Sequence, residues 1–165
     1  APATRAYALG MRVIAPLTRS REGPEIGDYV GLSDELPDLL GKADIIVKAL
    51  PLTSSTTGLF DEALFARAKP GAYFINVGRG GTVRTDALVE ALESGKLAGA
   101  GLDVTDPEPL PSDHPLWQMS NVMVTPHVSG AGADRRLHNM LLRENIRRYL
   151  AGDALLNVVD PARGY

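Results

Sequence analysis

Arg79, Glu108 and His127 are of residue types that together suit the reduction of a carbonyl, and each stands just beyond a short apolar run that reads as a strand. Arginine is a fixed cation whose planar fork matches a carboxylate, so Arg79 could hold an acid group and polarise the carbonyl next to it. A histidine, with an ordinary pKa of ~6.5, can pass a proton to or from a hydroxyl, which is worth roughly 10²–10⁴-fold in rate. A carboxylate beside it, here Glu108, favours the charged ring that serves as the acid. Singly, each has a plain structural explanation: a surface arginine in the glycine turn Gly78–Gly81, an exposed loop acid between Pro107 and Pro109, a structural histidine after Pro126. If the three runs are parallel strands, however, they deliver a cation, an acid and a histidine to one edge, the edge where open α/β sheets bind ligands.

The elements that must position these residues are legible in the apolar pattern. Strands are predicted at Arg12–Ala15, Asp44–Val47, Ala72–Val77, Ala98–Val104 and Asn121–Val124, each nearly continuous in apolarity, as in a parallel sheet covered on both faces. Between them, Asp61 is placed to cap a helix over Glu62–Ala68 that stops before Pro70. Thr85 is placed to cap Asp86–Ser94, with Leu88 and Leu92 on one face and Gly95 as its exit. A shorter turn at Leu36–Leu40 and a long helix from about Asp134 to Ala151 follow the same logic, the latter with Leu142, Ile146, Tyr149 and Leu150 as its buried stripe. Trp117 is expected in the core. Alternating strands and helices imply an α/β fold of the Rossmann type, a doubly wound parallel sheet.

The beginning of the chain reads as a helix already under way, running through residues 1–9 to Gly10. A doubly wound nucleotide fold places its first strand and Gly-x-Gly-x-x-Gly turn just before such a helix, and this sequence holds neither. The expectation is an incomplete NAD(P)-binding domain over residues 1–151, truncated at its first strand and Gly-rich loop, with a gap in mid-sheet and exposed apolar helix faces. Residues 152–165 are read as a tail returning to a substrate domain.

The remaining features narrow the function by exclusion. With 165 residues, 44% hydrophobic and 22% charged, the chain suits one globular domain, and a net charge of −3 gives no basic footprint for nucleic acid. No cysteine is present, which removes thiol chemistry and fits the cytoplasm. No membrane partner is expected, because no apolar run approaches the roughly 18 residues of a span, and no metal site is expected, the lack of cysteine removing cysteine zinc sites. Of the other two histidines, His114 precedes a packing segment and His138 falls on the polar side of the last helix.

The series Asn76-Val77-Gly78-Arg79-Gly80-Gly81-Thr82-Val83, Gly101-Leu102-Asp103-Val104 with Glu108-Pro109, His114-Pro115-Leu116 and Thr125-Pro126-His127 resembles that of the D-2-hydroxyacid dehydrogenase family, over nearly the whole chain. The resemblance implies an oxidoreductase that moves a hydride between NAD(P)H and a small 2-keto or D-2-hydroxy acid such as glyoxylate or hydroxypyruvate, with Arg79, Glu108 and His127 catalytic. It also implies cofactor contacts at Leu50 and Pro51, at Val77, Gly78 and Arg79, at Asp103, and at His127 and Gly130. Where NAD-preferring relatives carry an acid after the second strand, this chain has Arg19 and Ser20, which resemble the turn of NADP-preferring reductases, so NADP(H) is favoured over NAD(H). The family implies a homodimer of the full-length protein. Two alternatives stay open: a nucleotide-sensing, co-repressor-like binding module, and a chain inactive on its own.

Overall fold

The computed structural model describes residues 2–17, 28–130 and 135–160. Among the described residues there are six strands, β1 (Ile14–Leu17), β2 (Tyr29–Leu32), β3 (Ile45–Lys48), β4 (Ala72–Asn76), β5 (Leu97–Leu102) and β6 (Val122–Val124), and five α-helices. These are α1 (Pro2–Ala8), α2 (Leu36–Leu40), α3 (Glu62–Arg67), α4 (Thr85–Glu93) and α5 (Arg135–Ala151). Every strand pair is parallel; β3-β4-β5-β6 form one sheet in that order and β1-β2 a second. The Rossmann-type α/β reading therefore holds, with β1-β2 and β3-β4-β5-β6 as separate sheets among the described residues. Arg19, Ser20 and the expected helix start at Asp134 lie outside the described residues.

The four-stranded sheet is held from one side. Ile46, Phe74, Ala100 and Leu102 point to the face that carries Leu40, Leu64, Phe65, Leu88 and Leu92 of α2, α3 and α4. Phe60, Phe65 and Phe74 meet at its centre in tilted and edge-on contacts, with ring centroids 5.3–5.8 Å apart. The opposite face corrects the expectation of burial on both sides: Ile45, Val47, Tyr73 and Met123 are 44–69% exposed. Strand alternation puts these four on one face, and among the described residues no helix covers it.

Local chemistry explains most of the ends. Asp61 caps α3 by accepting from Leu64 N at 2.8 Å, as its spacing implied. Thr85 does not cap α4; it is the first helical residue, after Arg84, and its hydroxyl donates to Asp106 O at 2.7 Å, tying the helix to the loop beyond β5. β2 was not foreseen. Its run Tyr29-Val30-Gly31-Leu32 is short and broken by glycine, and it is a strand because β1 pairs with it from Ile14↔Tyr29 to Leu17↔Leu32. Trp117 is 48% exposed, with Nε1 donating to Pro111 O, and the neighbouring Leu116 fills the core instead. Leu142, Ile146, Tyr149 and Leu150 are 52–80% exposed, so the stripe on α5 is apolar but uncovered within this chain. The tail folds against that helix, where Asn145 exchanges two hydrogen bonds with the backbone of Leu156.

Phe74 is fully buried at the centre of the aromatic cluster. Phe74→Ala is expected to lower the unfolding free energy by about 3–5 kcal/mol in denaturant titrations. A loss under about 1 kcal/mol would mean that this cluster does not hold the helices to the sheet.

Candidate active site

Strand register brings the chemistry-bearing residues to one edge. Asn76 pairs with Leu102 and Leu102 with Val124, so the chain leaves β4, β5 and β6 side by side. The ladder runs one residue further: Val77 N donates to Lys48 O, Asp103 N to Asn76 O and Thr125 N to Leu102 O. Arg79, Glu108 and His127 follow these exits on three exposed loops.

The loop after β4 is held from beneath. Lys48 is 3% exposed, and its ammonium donates to Asn76 Oδ1 at 3.0 Å, to Arg79 O at 2.7 Å and to Thr82 Oγ1. Thr82 Oγ1 also donates to Arg79 O at 2.8 Å, and Gly78 N to Asn76 Oδ1 at 3.1 Å. Burial, and then repulsion from Arg79, bring the Lys48 pKa down to about 8. Gly78 and Gly80 have a steric reason to be glycine: a Cβ on Gly78 would stand 2.7 Å from Leu50 O, and one on Gly80 would overlap the Thr105 carbonyl. The backbone of Gly78 is consequently packed closely on that of Ala49-Leu50, and the Arg79 loop rests on Thr105-Asp106, the stretch that leads to Glu108. The Arg79 guanidinium is exposed, donates to Gly78 O at 2.8 Å and pairs with no carboxylate among the described residues.

The loop after β6 hangs on Asp103. This buried carboxylate accepts from Thr125 Oγ1 at 2.6 Å and from Val128 N and Ser129 N at 2.8 Å each. Burial pushes its pKa up, but the hydrogen bonds from Ser129, Thr125 and Val128 outweigh that and hold it well below the usual carboxylate range. The same turn keeps His127 at φ 53°, with its amide on Asp103 O at 2.9 Å. Left-handed backbone at a non-glycine residue costs about 1–3 kcal/mol and persists where neighbours over-determine it, as here. The outcome is that His127 Nδ1 meets Glu108 Oε1 at 2.7 Å, across 19 residues of sequence. Nε2 is left without a protein partner among the described residues.

The structure thus joins Glu108 to His127, sets Arg79 on a clamped neighbouring loop, and makes Asp103 the anchor of the histidine turn. Gly130 is open, with nothing within 4 Å of a built Cβ. Lys48, Asn76 and Thr82 were not singled out from the sequence. The available signal was a lysine interrupting the apolar run Ile45–Leu50, level with Asn76 on the next strand. A surface groove along α5, lined by Arg136, Asn139, Met140 and Arg143, shares no residue with this edge. Among the described residues no group of three or more metal-binding side chains occurs, and no helix is long and apolar enough to cross a membrane.

A parallel sheet whose carboxyl edge carries a glycine-rich loop, an arginine unpaired with any carboxylate among the described residues and a histidine–carboxylate pair has the architecture of a Rossmann-type nucleotide-binding domain. The family model described as D-isomer specific 2-hydroxyacid dehydrogenase, NAD binding domain, matches residues 1–129, and the chain belongs to that family. Among its relatives, an uncharacterised protein in the proB 3' region of Corynebacterium melassecola is 44% identical over 142 residues, 86% of this chain and 47% of that protein. Human glyoxylate reductase/hydroxypyruvate reductase is 42% identical over 120 residues, 72% of this chain and 37% of that enzyme. The crystal structure of an NADPH-dependent glyoxylate/hydroxypyruvate reductase from Sinorhizobium meliloti, in complex with NADP and sulfate, superposes with a TM-score of 0.88 at 38% identity, over 99% of this chain and 52% of that one. The chain spans about half, or less, of the length of these proteins.

A lysine with a lower pKa in the fold than in the unfolded chain opposes folding while it is charged in both states. That opposition fades as it deprotonates in the fold, so its effect is to raise stability between pH 8 and 10.5. Measured by denaturant titration across this window, the protein is expected to gain stability relative to its Lys48→Met variant, by roughly 3 kcal/mol at most. Parallel curves for the two proteins would show that the ammonium is not strained by burial.

Proposed function

We propose that the protein carrying this domain is an oxidoreductase that moves a hydride between a nicotinamide cofactor and a small 2-keto or D-2-hydroxy acid, with glyoxylate and hydroxypyruvate as the substrate class. The observation that carries this reading is the Glu108–His127 contact of 2.7 Å, which orients the ring and leaves Nε2 for a substrate oxygen. Glyoxylate/hydroxypyruvate reductases among the relatives support the same class.

The edge fits a dinucleotide. Gly78 packs flush on the Leu50 backbone, and Leu50, Pro51, Val77 and Gly78 are the residues proposed to line the cofactor, together with Asp103, His127 and Gly130. When bound, the nicotinamide supplies the hydride. Arg79 takes the substrate carboxylate with its fork and polarises the adjacent carbonyl. His127 gives a proton from Nε2 to the oxygen that becomes the hydroxyl, and takes it back in the oxidative direction. Glu108 accepts from Nδ1–H, which fixes the tautomer and stabilises the charged ring. Asp103 keeps the histidine turn in place.

Arg19 and Ser20 support a preference for NADP(H), since a guanidinium can meet the additional phosphate. Residues 1–151 are assigned to the nucleotide half, and 152–165 lead toward a substrate-binding half. The absence of cysteine supports a cytoplasmic setting, and the uncovered apolar positions on α5 support a homodimer of the full-length protein.

In the full-length protein, His127→Ala is expected to lower kcat for glyoxylate reduction by 10²–10⁴-fold; a variant within threefold of the original would remove His127 from the chemistry. The ratio of kcat/KM for NADPH over NADH is expected to exceed one and to fall on Arg19→Ala. An enzyme that favours NADH would overturn the cofactor assignment while leaving the acid–base roles intact.

A further inference from the structure

Lys48 is an expensive residue in its position. It is 3% exposed, and no carboxylate among the described residues pairs with it; its contacts are three neutral oxygens, on Asn76, Arg79 and Thr82. A buried ammonium is tolerated only when hydrogen-bonded, and Met would fill similar space without that cost. What Met lacks is three donors converging on one point. Here they converge on the loop that carries Arg79: the ammonium grips the Arg79 carbonyl from below, while Thr82 Oγ1 donates to the same carbonyl at 2.8 Å and Asn76 Oδ1 receives both Lys48 and Gly78 N. The backbone of Lys48 holds the loop as well, through Val77 N on Lys48 O at 3.0 Å. Arg79 has its main chain fixed at the carbonyl, and its side chain, which donates to Gly78 O, pairs with no carboxylate among the described residues.

We propose that Lys48 is a positioning residue for anion binding by Arg79: its buried ammonium clamps the Arg79 carbonyl to Asn76 and Thr82 and so sets the direction in which the guanidinium leaves the loop. The inference rests on the assignment of Arg79 to the substrate carboxylate. Burial and the neighbouring Arg79 cation lower the Lys48 pKa to about 8, in keeping with an ammonium enclosed beside a second positive charge.

The test uses the full-length protein, with glyoxylate turnover and, separately, calorimetric binding of oxalate, an unreactive dianion. Lys48→Met is expected to raise KM for glyoxylate and Kd for oxalate fivefold or more, and to lower kcat as well, since a displaced Arg79 also polarises the carbonyl less. A residue that merely supports folding would lower kcat through the active fraction and leave KM and Kd alone; that result, or changes below fivefold, overturns the proposal. This chain has no cysteine, so with any cysteine elsewhere in the full-length protein replaced by serine, Lys48→Cys offers a second route if the Met variant does not fold. Alkylated in denaturant with 2-bromoethylamine and refolded, it regains an ammonium and is expected to bind oxalate within threefold of wild type treated alike. Capped instead with iodoacetamide, the same cysteine is expected to bind at least fivefold more weakly; equal binding by the two forms overturns the proposal. Should the wild type reduce no 2-keto acid yet bind oxalate, with Lys48→Met weakening it, the function proposed above fails and the positioning role stands. If wild type neither reduces a 2-keto acid nor binds oxalate, both fail; if it reduces glyoxylate without binding oxalate, the function stands and an unchanged KM in Lys48→Met overturns the positioning role.

Discussion

Asp103 accepts hydrogen bonds from Thr125 Oγ1, Val128 N and Ser129 N, and those bonds close the turn that holds His127 in left-handed backbone. Without that grip the turn would relax toward ordinary dihedrals, and Nδ1 would lose its approach to Glu108. The carboxylate can do this because it leaves β5 directly beside the exit of β6, with Leu102 and Val124 in register. Because its hydrogen bonds keep it ionised far into acid, the anchor persists at any pH where the histidine can act.

Lys48 is its counterpart on the other side of β4. Each is a charged side chain buried at a strand end, and each is satisfied by hydrogen bonds to a loop that carries a functional residue. Placing the charges under the loops leaves Arg79, Glu108 and His127 exposed on top. The sheet below is rigid on one side through the aromatic cluster of Phe60, Phe65 and Phe74, so loop positions inherit the register of the strands. The uncovered face around Tyr73 and Met123, and the bare stripe on α5, match in composition the kind of surface that another layer covers in parallel α/β proteins.

The sequence revealed what depends on local pattern. Continuous apolar runs located β1, β3, β4, β5 and β6 to within a few residues, the Asp61 cap located α3, and the order of Arg79, Glu108 and His127 after three strands located the edge. Features that depend on a distant partner were hidden. β2 is a strand because β1 pairs with it, Thr85 reaches Asp106 instead of capping, and Trp117 lies outward while Leu116 packs inward. Lys48 was passed over because it sits inside an apolar run, and its partners, Asn76, Arg79 and Thr82, are 28 to 34 residues away. The stripe on α5 was correctly apolar but not buried, since periodicity shows which face is apolar and not what covers it.

Arg79, His127 and Glu108 are proposed to act on one substrate acid at this edge, and a crystal structure of the full-length protein with NADPH and oxalate would decide it. One carboxylate of oxalate is expected on the Arg79 guanidinium and an oxygen of the other within about 3.2 Å of His127 Nε2, with Nδ1 still on Glu108. Oxalate bound away from both residues, or a His127 turned from Glu108 in the complex, would contradict it.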